Sequence, residues 1–197
     1  AALARGDADL IAFGRQFLAD PDFLVKAAAG RTDDIRQCIA CNQGCIEREM
    51  LGEGNIRCSI NPETGQETIY PVEKTSHPKN VWVVGSGPAG LTAASEAHRL
   101  GHRVTLFEKK KVLGGQIRYA QIPPHKDIYG QWIDWLIGQV KKEGIPIRVE
   151  TEVDKKLLES GKPDFVILAT GGEKLVDGDA VVAQHVGDQA ECRVEIQ

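Results

Sequence analysis

The chain has 197 residues, enough for one large domain or a domain with an appendage. At 42% hydrophobic and 26% charged, with a net charge of −4, it reads as a globular chain with no basic surface for nucleic acid. No run of about 18 apolar residues can span a membrane, and Ala1 to Asp7 lacks the charged-then-apolar layout of a secretory signal.

Four sections follow in chain order. Residues 1–36 hold a short apolar stretch, Leu10-Ile11-Ala12-Phe13, which predicts a strand ended by Gly14-Arg15. Asp20-Pro21-Asp22 then starts a helix from Phe23 to Ala29, with Pro21 suited to its first turn and Gly30 to its stop. Residues 37–78 hold four of the five cysteines, are rich in Gly, Asn, Pro, Glu and Thr, and have little periodic apolar content. Such a segment buries little core by itself and needs something to organise it. Residues 79–172 show an α/β rhythm. Its strands are Val81–Val84, Arg103–Glu108, Ile147–Val149 and Asp164–Thr170; its helices are Ala89–Leu100 and Ile128–Lys142, the latter with Ile128, Trp132, Leu136 and Val140 at helical spacing. In residues 173–197 the final Val194–Gln197 reads as the opening of a strand, where the chain stops. With no initial Met, it reads as cut from something longer.

The cysteines follow the pattern Cys38-x2-Cys41-x3-Cys45-x12-Cys58, four within 21 residues. That density is unlike a disulfide framework and points to a cytoplasmic metal site. Structural zinc usually takes two short knuckles of two ligands each. A three-plus-one division suits a [4Fe–4S] cube better, because one tight loop supplies three corners and a distant cysteine closes the cage. Asn42 and Gly44 give that loop freedom to curl. Zinc remains the alternative, and Cys192 stands apart as a simple thiol.

Gly85-Ser86-Gly87-Pro88-Ala89-Gly90 follows a strand and opens a helix. In that context the first glycine permits the tight turn, the second lets a pyrophosphate approach the backbone, and the third lets helix and strand pack closely. Glu108, 18 residues beyond Gly90, ends the next strand, where a carboxylate accepts hydrogen bonds from a ribose and disfavours a 2′-phosphate. Gly114-Gly115-Gln116 and Ala169-Thr170-Gly171-Gly172 are glycine turns where backbone can again approach a nucleotide, or ordinary turns if taken alone. His125, beside Pro123-Pro124, reads as a solvated loop histidine, so no catalytic residue is assigned.

Taken together, Gly14-Arg15, Asp20-Pro21, the cysteine run, Cys58 with Asn61-Pro62, GSGPAG, Glu108-Lys109, Leu113-Gly114-Gly115-Gln116 and Ala-Thr-Gly resemble one group over about residues 3 to 172. It is the iron–sulfur branch of the old yellow enzyme family, which includes 2,4-dienoyl-CoA and 2-enoate reductases, trimethylamine and histamine dehydrogenases, and related demethylases. The resemblance implies an α/β protein with a Rossmann-like FAD-binding domain (79–172), preceded by a [4Fe–4S] segment (37–78) and by the last strand and helix of an FMN-binding TIM barrel (1–36), and followed by the lead-in to an NAD(P)H-binding domain (173–197). On that reading Gly14 and Arg15 contact the FMN phosphate, and Cys38, Cys41, Cys45 and Cys58 hold the cluster. Gly85, Ser86, Gly87, Pro88, Ala89, Gly90, Glu108, Lys109, Gly114, Gly115, Gln116, Ala169, Thr170 and Gly171 line the second flavin site, more like FAD-binding members than those that keep only ADP. Gly187-Asp188 as a late flavin-contacting turn is the weaker alternative for the last section.

The function so implied is a relay from NAD(P)H through FAD and the cluster to FMN, which acts on a small enoate, enoyl or N-methyl amine substrate. A cluster suits it because it carries one electron at a time where hydride carries two. The alternatives are a stand-alone electron-transfer module serving a separate barrel chain, or a zinc-stabilised nucleotide-binding domain; a homo-oligomer fits any of them.

Overall fold

The computed structural model describes residues 2–52, 54–69 and 73–172, and the readings placed on 173–197 lie outside them. The chain divides into two units, Ala1–Pro71 and Val72–Gln197.

In the first unit short helices carry the chain. They are α1 (Ala2–Arg5), α2 (Arg15–Ala19) and α3 (Phe23–Ala28), then a 3₁₀ turn at Thr32–Asp34, and a π-helical turn at Gln43–Glu47 continued as α4 (Arg48–Leu51). The expected strand at Leu10–Phe13 does not form. A strand exists only as one side of a hydrogen-bonded ladder, and among the described residues this unit contains no other strand. Leu10 is instead 89% exposed. Phe13 turns back toward Phe23, whose buried ring receives Phe13 and Phe17 edge-on, with centroids 5.0 and 4.8 Å away. Gly14-Arg15 therefore opens a helix rather than ending a strand. The α3 helix begins one residue past Asp22, so Pro21 precedes its first turn; the Asp20 carboxylate makes the entry by accepting from Asp22 N at 3.1 Å. Gly30, at φ +70°, ends it as expected.

The second unit is built on alternation. Its strands are β1 (Asn80–Val84), β2 (Arg103–Phe107), β3 (Ile147–Arg148) and β4 (Phe165–Leu168). They form one sheet in the order β3-β2-β1-β4, and every pair is parallel. Parallel neighbours need helical crossovers, supplied by α5 (Pro88–Arg99), α6 (Ile117–Ala120), α7 (Asp127–Lys142) and α8 (Lys155–Gly161). Alternate residues Val81 and Val83 of β1 are buried, and so is Trp82, whose ring lies 4.5 Å from that of Phe107. A β-carbon at Gly161 would collide with the Trp82 indole, so the end of α8 covers that ring. Along α7 the buried positions are Gly130, Trp132, Ile133, Leu136, Ile137 and Val140, a helical stripe wider than expected, while Ile128 stays half-exposed. Helix α5 packs on α7, and Ser95 Oγ donates to Glu143 Oε1 at 2.7 Å across them. Val83, Leu91, Leu106, Ile133 and Val140 are fully buried, each worth about 1.5–3 kcal/mol in burial. The chain moves outward from β1 through β2 to β3, then crosses to β4 on the other side of β1. The C-terminal ends of β1 and β4 therefore flank the point where the winding reverses, the usual ligand position in open parallel sheets.

Candidate functional site

In the first unit all four predicted cysteines line one pocket, together with Arg15, Leu18, Ile39, Asn42, Gly44, Ser59 and Ile60. All four are free thiols. Among the described residues, no three His, Cys, Asp or Glu side chains are arranged to hold a metal ion.

The backbone explains how a loop this short turns three thiols inward. Ala40 and Asn42, on either side of Cys41, both adopt left-handed φ, 54° and 64°. Asn tolerates this region; Ala does so at a cost of order 1–3 kcal/mol, the kind of strain found around functional loops. Asn42 then starts the π turn that carries Cys45, a feature frequent at functional sites. Gly44 acts by size rather than by freedom of φ. A β-carbon there would stand 2.9 Å from Arg57 O and 3.1 Å from Cys58 Cα. With none in the way, Arg57 N donates to Gly44 O at 2.6 Å, and Cys58 is brought against the loop that bears the other three.

Helix α2 holds both arms of the site. Gln16 Oε1 accepts from Cys38 N at 2.9 Å, and Gln16 Nε2 donates to Arg36 O at 3.0 Å. The Leu18 carbonyl accepts from Asn61 Nδ2 at 2.9 Å and Thr64 Oγ1 at 2.7 Å, just beyond Cys58. The Arg15 guanidinium donates to Asn42 Oδ1. Buried Asp20 pairs with Lys26 at 2.7 Å and accepts from Arg36 N at 2.9 Å. The motifs Gly14-Arg15, Asp20-Pro21 and Asn61-Pro62 thus share one frame. Sequence reading missed Gln16, for which a single glutamine in a short helix gives no signal. Burial pushes the Cys58 thiol up; N–H groups of Ile60 and Asn61 oppose this, and the nearby Cys38 and Cys41 sulfurs add to it.

In the second unit the glycine roles separate cleanly. A β-carbon at Gly85 would collide with Ala169 O, and one at Gly90 with Gly85 O, whereas one at Gly87 meets nothing within 4 Å. The first and third glycines therefore close the turn and seat the helix, and the second faces open space. Helix α5 has Gly87 at its N-cap, no capping side chain, and Pro88 in its first turn, so its N-terminal N–H groups are of the kind that receive phosphate.

Three other predicted segments gather at this loop. Glu108 Oε2 accepts from Ser86 N at 2.9 Å and from Ser86 Oγ at 2.5 Å, and Glu108 Oε1 accepts from Lys110 N at 2.9 Å. Gly114 N donates to Ser86 O at 3.0 Å. Gly115 leaves room for Gly87, whose Cα would stand 2.9 Å from a β-carbon there. Gln116 Nε2 donates to Gly172 O at 2.8 Å, and Ala169 N donates to Val84 O at 2.8 Å, so the Ala169–Gly172 turn lies beside the loop. Burial works to raise the Glu108 carboxyl; the hydrogen bonds from Ser86 and Lys110, with the Lys110 charge, outweigh it and hold the group below the ordinary carboxylate range. Lys109 and His125 are exposed.

Residues 83–135 match the family described as an NAD(P)-binding Rossmann-like domain. Over 172 residues the chain is 41% identical to NADH oxidase of Thermoanaerobacter brockii, an alignment covering 87% of this chain and 26% of that protein. It is 36% identical over 170 residues to cinnamate reductase of Clostridium sporogenes, covering 86% of this chain and 25% of that one. Histamine dehydrogenase from Rhizobium sp. 4-9 superimposes with a TM-score of 0.83 at 30% identity, over 94% of this chain and 27% of that chain. The chain thus spans about a quarter of the length of the relatives it matches. With the cysteine run and the dinucleotide loop both inside the matched stretch, the homologues of this chain are of the iron–sulfur old yellow enzyme-like family, and the likeness covers most of the chain.

Proposed function

We propose that this chain is the electron-carrying section of an NAD(P)H-dependent iron–sulfur flavoprotein oxidoreductase. Cys38, Cys41, Cys45 and Cys58 hold a [4Fe–4S] cluster, the loops around Gly87 hold FAD or its ADP part, and Gly14 and Arg15 serve the phosphate of an FMN carried by a barrel of which residues 1–36 are the end. The observation that carries the reading is the convergence of all four cysteines on one pocket. Three come from one short loop and the fourth is brought against it by the Arg57 N to Gly44 O hydrogen bond, the division that suits a cubic guest with four sulfur corners.

The bound groups supply one-electron transfer at the cluster and two-electron transfer at the flavins and nicotinamide. The chain's own residues position them. Gly44 and the α2 bracket set the distance between Cys58 and the cysteine loop, the Gly87 surface admits pyrophosphate, and Glu108 faces the ribose. The substrate belongs to the rest of the protein, and the relatives' names suggest an unsaturated acid or an amine.

Anaerobic purification followed by iron, sulfide, zinc and flavin analysis tests this. Four iron and four sulfide per chain, with a brown absorbance that dithionite bleaches, is the expected result. A colourless chain holding one zinc overturns it.

A further inference from the structure

Ser86, between the first two glycines of the dinucleotide loop, does more than line it. Here it is fully buried, and both its N–H and its hydroxyl donate to the same oxygen, Glu108 Oε2, at 2.9 and 2.5 Å. Lys110 N takes one position on the other oxygen at 2.9 Å. A carboxylate offers about four lone-pair positions, and three are filled from within the protein. Glu108 is itself only 8% exposed, and the one position these donors leave unfilled is on Oε1. A carboxylate with both oxygens open can grip the two vicinal ribose hydroxyls together; this one cannot.

Resting on the nucleotide site proposed above, we infer that Ser86 is a positioning residue that makes Glu108 a one-point acceptor, so that a single ribose hydroxyl is bound and its neighbour is left to solvent. The Ser86 carbonyl adds to this by anchoring Gly114 N at 3.0 Å, which ties the glycine loop, the exit of β2 and the Gly114–Gln116 turn into one rigid rim.

The test uses the full chain and three probes, ADP, 2′-deoxy-ADP and 3′-deoxy-ADP, titrated calorimetrically. For the wild type, one deoxy analogue should bind about tenfold or more weakly, the loss of a hydrogen bond to a charged acceptor, and the other within about twofold of ADP. In Ser86→Ala, Oε2 loses one of its two anchors and the carboxylate can turn both oxygens toward the ribose, so both analogues become weaker than ADP and the ratio between them falls to about threefold or less. A merely structural serine would lower affinity for all three probes and leave that ratio unchanged, which overturns the proposal, as do equal penalties in the wild type. Ser86→Gly is the second variant if the alanine form does not fold. Absence of ADP binding by the folded wild type is a separate result and removes the nucleotide reading itself.

Discussion

Gly87 and Gly90 are two helix-starting glycines three residues apart, and the structure predicts opposite outcomes for the same substitution. Gly90 lies inside α5, where Ala is ordinarily favoured over Gly by about 1 kcal/mol. At Gly90, however, the new β-carbon would collide with the Gly85 carbonyl oxygen and sit 3.3 Å from Ala169 Cβ. The first is backbone and cannot rotate away, so the helix must move from the sheet. Overpacking of this kind costs about 1–3 kcal/mol, more where backbone is displaced, and reverses the helix preference. Gly90→Ala should therefore lower stability by about 1–3 kcal/mol net, a large part of a domain's reserve. Gly87→Ala places its β-carbon in open space at the N-cap, where Ala is a poorer cap than Gly by roughly 1 kcal/mol or less. It should leave the fold nearly intact and abolish tight nucleotide binding, because the β-carbon occupies the surface that pyrophosphate would approach. Urea denaturation and ADP titration on both variants separate the two effects. Wild-type affinity in Gly87→Ala, or wild-type stability in Gly90→Ala, would refute the division of labour.

Other substitutions read the cysteine site and the carboxylate. Gly44→Ala would force Arg57 O and Cys58 Cα away by several tenths of an ångström, and its iron content after anaerobic reconstitution should fall toward that of Cys58→Ser; full loading would mean that the loop yields easily. Gln16→Ala leaves Cys38 N and Arg36 O without their partner, a loss of about 1–3 kcal/mol, and should show faster bleaching in air than the wild type, with Gln16→Glu restoring only the bond to Cys38 N. The Glu108 carboxyl is depressed in the folded chain, so it contributes stability above the ordinary carboxylate range and that contribution is lost as pH falls through its lowered value. Glu108→Gln should flatten the acid side of the stability profile measured by thermal denaturation from neutral to acid pH; an unchanged acid limb would show that other carboxyls control it.

Much of the second unit was legible because its signals are local. Each strand and helix there has its own period, and GSGPAG carries its geometry in the absence of side chains. The limits fell where the chain meets its neighbours. The Leu10–Phe13 run has the composition of a strand, but strand is a property of a pair, and no pairing partner lies in this unit among the described residues. The Glu108 reading placed the carboxylate at the right strand end. Composition alone did not show that Ser86 and Lys110 would fill most of its lone pairs.

The cysteine segment makes the same point from the other side. Its spacing pointed to four cysteines at one site but not to what holds them together, since the segment has almost no periodic core. The holding groups are Gln16, the Leu18 carbonyl and Asp20, all on or beside one short helix more than 15 residues before the first cysteine. A five-residue helix is marginal alone. Here α2 is held through Arg36, Cys38, Asn61 and Thr64, so the helix depends on the cysteine arms as much as they depend on it. That mutual dependence implies that filling the pocket stabilises the whole first unit rather than the loop alone. Iron release by a chelator should then expose the α2 amides to hydrogen exchange together with those of residues 36–45, and α2 amides that stay protected would break the link between bracket and site.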